Sequence, residues 1–218
     1  MLIAWPSLEA NAQIQGTRHD LSPTGGGMWG AADEDEICVY CHTPHGSNPI
    51  APLWNKAVRA ATYTLYNSDT LDALPNQPQG YSLACLTCHD GVTALNALVN
   101  PSQNVPTMPA IGDQLGDVYY PGGATAYQAV NIGGSYPANP NVDDLADDHP
   151  ISFTFDAALT GVDNGLQLPP PGDPVMLLGP SADQLECPTC HDAHDSTFPP
   201  FLVKSAANSQ LCRTCHLK

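Results

Sequence analysis

The chain has 218 residues, and its 22 Asp and Glu against 6 Lys and Arg give a formal net charge of −16 at pH 7. This excess of carboxylates disfavours nucleic acid and anionic lipid as partners, because both are bound through clustered Lys and Arg. With 22 Pro, 18 Gly and only 7% aromatic residues, the chain is predicted to consist of loops and short elements without a large apolar core. No stretch approaches the roughly 20 apolar residues that span a bilayer.

The first twelve residues resemble the end of a signal peptide. A short apolar run leads into Ala10-Asn11-Ala12, a small-x-small cleavage pattern, but the positively charged opening of a signal peptide is missing. We therefore interpret residues 1–12 as a signal-peptide remnant or as an N-terminal arm. Residues 13–218 are expected to form a single domain.

All eight cysteines fall into four Cys-x-x-Cys pairs, and a histidine follows each pair at once. Cys-x-x-Cys-His is the attachment motif for haem c, in which two thiols bond to one porphyrin and the histidine ligates its iron. Four covalently attached haem c groups are therefore predicted, at residues 38–42, 85–89, 187–191 and 212–216. The attachment residues are Cys38, Cys41, Cys85, Cys88, Cys187, Cys190, Cys212 and Cys215, and the proximal ligands are His42, His89, His191 and His216.

Two zinc ribbons or a set of disulfides would also use paired cysteines. Neither explains the histidines. With 8 His in the chain, the chance that all four pairs are followed by one is roughly two in a million, whereas haem attachment requires it.

Four histidines remain outside the motifs, which matches the number of irons that need a sixth ligand. They are His19, His45, His149 and His194. Methionine is the competing axial ligand, with Met1, Met28, Met108 and Met176 as candidates. Histidine on both faces of every iron is preferred, and such a set leaves no iron open for substrate.

Two of these histidines, His45 and His194, follow a proximal histidine by three residues. Each lies on the same side of its own haem as that proximal residue, so it cannot reach the opposite face. We therefore expect each to ligate a different haem and to tie two haems together. The alternative is that each only hydrogen-bonds a propionate.

The predicted elements between the motifs are short. Val92–Val99 reads as a helix ended by Asn100-Pro101, and the Pro- and Gly-rich residues 101–148 read as a loop that wraps haems or contacts other subunits. Ile151–Phe155 alternates as a strand does, and a helix is expected from Ser205 into Cys212. The predicted fold is a mostly irregular, loop-rich multihaem cytochrome c. It has short α-helices at the haem sites, minimal β-structure and a core formed by four haems.

These motifs occur in an order, and with flanking residues, that resemble a known family. The matching blocks are Thr17–Ser22, Cys38–Gly46, Pro52–Asn55, Cys85–Gly91, Asp148–Phe153 and the paired C-terminal sites. Together they resemble the OmcE-type outer-surface tetrahaem c-type cytochromes of metal-reducing bacteria. The resemblance runs from about residue 17 to the end of the chain, and the loops between the blocks do not share it.

The resemblance implies extracellular electron transfer through closely packed bis-histidine haems, in filaments of identical subunits. In such filaments at least one iron takes a histidine from the neighbouring subunit, and we expect His19 in that role. Other redox proteins, or mineral and metal acceptors, would be further partners, and the protein would be exported to the cell surface or alternatively to the periplasm. A monomeric shuttle is the alternative. A reductase of a small oxyanion is disfavoured, because no motif departs from Cys-x-x-Cys-His; an electron carrier rather than an enzyme is expected.

Overall fold

The computed structural model describes residues 13–25, 30–90, 93–102, 106–107, 132 and 143–217. The predicted signal-peptide remnant at residues 1–12 lies outside the described residues, as do Met28, Met108 and most of the loop at 101–148. Loops and turns make up most of the described chain, and its helices and strands are short. The prediction of a loop-rich chain with short helices and minimal sheet is thus confirmed.

Each of the four motif sites lies on a helical turn. The helix α1 (Gly80–His89) carries the second site, and α3 (Cys187–Cys190) carries the third. The helix α2 (Ala157–Val162), which lies between them in the chain, carries no motif site. The first and fourth sites lie on 3₁₀ turns at Ile37–Tyr40 and Cys212–Thr214, where α-helices were expected. Either kind of turn places residues i and i+3 on one side, and this is the spacing of the two cysteines.

Two short strand pairs join distant parts of the chain. The strand β1 (Thr64–Leu65) pairs in parallel with β2 (Asp144–Leu145). The strand β3 (Phe153–Thr154) pairs antiparallel with β4 (Gln184–Leu185). The predicted strand at residues 151–155 is therefore present but two residues long.

Two predicted helices are wrong in the described residues. Residues 93–99 form turns, and the carbonyls of Ala94 and Leu95 accept hydrogen bonds from the Lys56 ammonium at 3.2 and 2.8 Å. The segment from Ser205 to Cys212 contains only a 3₁₀ turn at Ala207–Ser209. Its residues Asn208 and Ser209 have left-handed φ angles of 54° and 58°, which an α-helix does not accommodate.

Apolar side chains form two small clusters among the described residues. One contains Ala73, Phe153, Phe155 and Leu185, and the other contains Tyr63, Leu86 and Leu145. None of the helices described is long and apolar enough to cross a membrane. In the part of the chain that the structure describes, side chains alone thus supply little core, as the composition predicted.

A buried asparagine holds the first motif site in place. Asn55 is fully buried, and its backbone N–H donates to the Cys41 carbonyl at 2.8 Å. Its side-chain amide donates to Val39 O at 2.7 Å and to Asn100 O at 2.9 Å, and accepts from the Asn100 N–H at 2.8 Å. This one side chain therefore fastens the turn of the first site to residue 100.

A buried glutamate connects the second and third motif sites. The Glu186 carboxylate accepts from the Ser82 N–H at 3.1 Å and from the Ser152 hydroxyl at 3.2 Å. The Ser82 hydroxyl in turn accepts from the Cys187 N–H at 3.0 Å. The beginning of α1 is thereby held against the beginning of α3.

Replacing Asn55 by Ala should lower the free energy of unfolding by about 2–4 kcal/mol, because three hydrogen bonds are lost and their backbone partners are left buried. Chemical denaturation of the haem-loaded protein, followed by far-UV circular dichroism, measures the change. Asn76→Ala is the control: Asn76 is exposed and its amide makes one bond of 3.5 Å, so a change within about 0.5 kcal/mol is expected. Equal effects of the two substitutions would contradict the structural role of Asn55.

Candidate haem-attachment sites

Three pairs of imidazole rings lie near each other at nearly the same centroid distance. The ring centroids are 6.1 Å apart for His19 and His89, 6.1 Å for His42 and His194, and 6.3 Å for His149 and His216. Each pair combines one histidine of a Cys-x-x-Cys-His motif with one histidine outside the motifs. No pair combines two motif histidines among those described.

These distances fit two imidazoles that ligate one iron from opposite faces. A metal–imidazole bond is about 2.0 Å long and the ring centroid lies about 1.1 Å behind the bonding nitrogen, so two axial rings have centroids about 6.2 Å apart. The angles between the ring planes are 70°, 16° and 80°. Such variation is compatible with axial ligation, because each ring can rotate about its own metal–nitrogen bond. The residues present therefore fit haem iron.

Backbone carbonyls orient three of the candidate ligand rings. The Nδ1 atoms are bonded to carbonyl oxygens as follows: His42 to Pro52 at 2.9 Å, His149 to Pro150 at 2.9 Å, and His191 to Pro200 at 3.1 Å. A carbonyl can only accept, so the proton lies on Nδ1 and the Nε2 lone pair is left for a metal. Metal-ligating histidines are commonly held by such a bond from the second ring nitrogen.

The first and third motif sites share one local fold. After each proximal histidine the chain returns antiparallel to it, and Leu53 and Phe201 take left-handed φ angles of 55° and 59° at matching positions. The same two backbone hydrogen bonds recur in both sites. In the first site, Thr43 N–H donates to Leu53 O at 2.8 Å and Asn55 N–H donates to Cys41 O at 2.8 Å. In the third site, Asp192 N–H donates to Phe201 O at 2.8 Å and Val203 N–H donates to Cys190 O at 3.0 Å. The two sites are thus structural repeats.

The His19 ring is held in its position by packing. It stacks on Phe201 with centroids 4.3 Å apart and planes inclined by 14°, and it is hydrogen-bonded to the Ala193 carbonyl. Burial, followed by the nearby His89, lowers the pKa of His19 to about 4. The ring is therefore neutral at physiological pH, and the neutral imidazole is the form that binds a metal.

Cysteines of consecutive motif sites lie close together. Burial raises the pKa of Cys41 to about 12, with a further contribution from Cys88, and burial raises the pKa of Cys190 to about 11, with a further contribution from Cys215. The Cys85 and Cys187 thiols are hydrogen-bonded, and this bond raises the pKa of Cys85. The Cys85 and Cys187 thiols thus bring the second and third sites together, and the thiols of the first and second sites, like those of the third and fourth, are near enough to interact electrostatically.

All eight cysteines are free thiols in this structure. Within the described residues, no group of three or more His, Cys, Asp or Glu is placed to hold a metal ion. The four-cysteine arrangement of a zinc ribbon is therefore not found in this part of the chain.

Two of the eight histidines have no opposing imidazole within the described residues. His191 and His45 are both exposed, and neither has a ring partner at the spacing of the three pairs. Met176, a competing ligand by sequence, has an exposed side chain. The third motif site therefore has a proximal histidine, but the described chain shows no second imidazole opposite it.

The sequence identified these histidines as candidate ligands but did not show which of them lie together. It also did not predict that the carbonyls of Pro52 and Pro200 orient two of the rings. A signal for the carbonyls exists in the sequence. A proline followed by an apolar residue stands ten residues after His42 and nine after His191. An alignment of the first site with the third would have found it.

Residues 179–218 match the family described as doubled CXXCH motif. The match spans the third and fourth motif sites and leaves the rest of the chain uncovered. It points to a multihaem c-type cytochrome that carries electrons. No curated protein is significantly similar to the chain.

Replacing His194 by Ala should leave one iron with a single axial histidine, because His42 loses the ring opposite it. A high-spin signal from one iron per chain is then expected in the electron paramagnetic resonance spectrum of the oxidised protein. Ser196→Ala, two residues away, retains both rings and is the control. A low-spin spectrum identical to that of the parent protein would refute the pairing of His42 with His194.

Proposed function

We propose that this protein conducts electrons outside the cytoplasm through four covalently attached haem c groups, as a subunit of an extracellular cytochrome filament. Haem supplies reversible one-electron exchange at its iron, and the chain supplies attachment, axial ligands and spacing. The observation that carries the proposal is the set of three imidazole pairs at 6.1–6.3 Å. The doubled CXXCH match at residues 179–218 supports it independently.

We assign the ligands of three sites from these pairs. His42 with His194 would serve the first site, where Cys38 and Cys41 form the thioethers. The second site combines Cys85, Cys88, His89 and His19. The fourth combines Cys212, Cys215, His216 and His149. The third retains Cys187, Cys190 and His191, and needs a sixth ligand from elsewhere.

The proximity of thiols from consecutive sites favours a relay in sequence order. Each cysteine would hold one edge of a porphyrin, so neighbouring thiols bring neighbouring porphyrin edges together. Cys41 with Cys88, Cys85 with Cys187 and Cys190 with Cys215 give the order first, second, third, fourth. Such an order places the first and fourth sites at the two ends, where successive subunits would meet.

The repeat of the first and third sites favours His45 as the ligand between subunits. His194 belongs to the third site and faces the proximal histidine of the first. His45 occupies the equivalent place in the first site. By the same relation, His45 would face the proximal histidine in the third site of a preceding copy. That contact is head-to-tail, and head-to-tail contacts that do not close generate filaments. His191 then gains its missing partner.

The sequence favoured His19 for the crossing role. We now assign it to the second site instead, because its ring is packed on Phe201 and lies 6.1 Å from the ring of His89 in the same chain. The proposal that a histidine crosses between subunits is retained, with His45 in place of His19.

The order and flanks of the motifs, which resemble the OmcE-type cytochromes, support the filament over a diffusing carrier. The partners would be copies of the chain itself, other redox proteins, and mineral or metal acceptors, for which the −16 charge offers a cation-attracting surface. The signal-peptide-like residues 1–12 favour export to the cell surface, with the periplasm as the alternative.

One observation favours a second candidate, the reductase of a small oxyanion. Without a neighbouring subunit, the described chain shows no imidazole opposite His191, and an open iron could bind substrate. The surroundings oppose this, because Asp192 and Asp195 flank the site and the chain has only 6 Lys and Arg to attract an anion. The remaining alternative is a monomeric electron shuttle in which a ligand from outside the chain binds the iron of this site.

The proposal requires four haems on every chain, since each motif site has both cysteines and its proximal histidine. A pyridine haemochrome assay, combined with intact-mass spectrometry of the secreted protein, should give four covalent haems. Fewer than four covalent haems per chain would contradict the proposed continuous relay.

Replacing His45 by Ala should abolish filaments and leave particles of about 25 kDa including haem. Negative-stain microscopy of secreted material measures this. Ser47→Ala is the control and should still polymerise. The His45→Ala particles should also show one high-spin iron per chain, namely that at His191. Filaments of normal length with only six-coordinate irons would sink the assignment of His45. Filaments absent from the parent protein as well would favour the shuttle.

A further inference from the structure

Two buried charges of opposite sign lie beside different motif sites. We propose that the Lys56 ammonium raises the reduction potential of the first site and that the Glu186 carboxylate lowers the potential of the third. The inference rests on the proposed haem relay, and it adds residues that tune the relay without touching an iron. Neither residue belongs to the motifs or to the ligand set.

Lys56 is fully buried, which is rare for a lysine that has no carboxylate partner. Its Nζ donates to the carbonyls of Ala94 and Leu95 at 3.2 and 2.8 Å. No carboxylate is bonded to it within the described residues. Its two hydrogen-bond partners are thus neutral carbonyl oxygens, so within the described residues no opposite charge lies at hydrogen-bond distance from the Nζ atom.

Lys56 is fixed beside the first site. Asn55, the preceding residue, is bonded to the Cys41 carbonyl at 2.8 Å, and the Lys56 carbonyl accepts from the Asn48 amide at 3.2 Å. A positive charge favours the reduced iron, because reduction lowers the charge at that site by one.

Glu186 stands directly before Cys187 and is 4% exposed. Its carboxylate accepts from the Ser82 N–H and the Ser152 hydroxyl, and within the described residues no Lys or Arg forms an ion pair with it. Because Glu186 immediately precedes Cys187 in the chain, its charge lies beside the third site. A negative charge at this place favours the oxidised iron of the third site.

The other charged groups near the sites are mostly paired with an opposite charge. The Arg59 guanidinium compensates Asp90, which follows His89, and it also pairs with Asp143. Lys204 pairs with Asp173 at 2.5 Å. Glu34 is a buried acid whose backbone carbonyl accepts a hydrogen bond from the Tyr40 hydroxyl and whose carboxylate is bonded to the Ser102 hydroxyl. It affects the absolute potential of the first site, but it does not change the sign of the effect of removing Lys56.

The test is a potentiometric titration of the haem-loaded protein, followed in the visible spectrum, for three charge-removing variants. Lys56→Met and Lys56→Gln should each shift one component to lower potential, and Glu186→Gln should shift one component to higher potential. A unit charge roughly 10 Å away, at an effective dielectric constant of about 20, changes the reduction equilibrium by about tenfold, which is about 59 mV for one electron. Glu186→Gln keeps an oxygen acceptor for Ser82, so this arm preserves the local fold.

Arg18→Gln and Asp72→Asn are the matched controls. Each removes one exposed charge, which water and salt screen, so no resolved shift is expected. Shifts of the same sign in the Lys56 and Glu186 variants, or shifts no larger than those of the controls, would overturn the proposal. The haem content and low-spin spectrum of the parent protein are measured in the same preparation. If they are normal and the variants fail to shift, the tuning is wrong and the relay stands; if the parent lacks haem, the proposed function itself fails.

Discussion

The structure depends on one repeated constraint, an imidazole facing another imidazole across a gap of the size of a metal centre. In each of three pairs the rings come from distant parts of the chain, and the centroids are 6.1–6.3 Å apart. A gap of this size is too wide for hydrogen bonding between the rings and too narrow for a layer of side chains. Shared ligation of one iron, as proposed above, would account for the distance, and it would explain why so few apolar side chains are needed to connect the chain to itself.

Buried polar groups do the positioning that an apolar core does in most domains. Asn55 fastens the first site to residue 100, and Glu186 holds α1 against α3. Such groups are directional, and each loses stability when a partner is missing. They therefore fix the separation and orientation of neighbouring sites closely, which is what electron transfer between sites requires. Charges that take part in this network also act on the sites electrostatically.

The repeat of the first and third sites connects local structure with assembly. Each has a proximal histidine oriented by a proline carbonyl, a return of the chain, and a second histidine three residues on. Within the chain only the second histidine of the third site finds an opposing motif ring in the described residues. A head-to-tail neighbour would give His45 the same relation to the third site. The assembly proposed here thus extends a relation already present inside the subunit.

The sequence by itself determined the loop-rich character, because composition limits the core. It also predicted the attachment residues and the proximal histidines, because the two cysteines and the histidine of each motif act within one turn. It could not determine which histidine faces which motif, since His19 and His89, or His42 and His194, meet only through the folded chain. Segment 93–99 shows the same limit: its pattern favours a helix, but Lys56 takes the carbonyls of Ala94 and Leu95. Nor does sequence distinguish Lys56 and Glu186 from charges in water. Their burial was decided by long-range contacts alone.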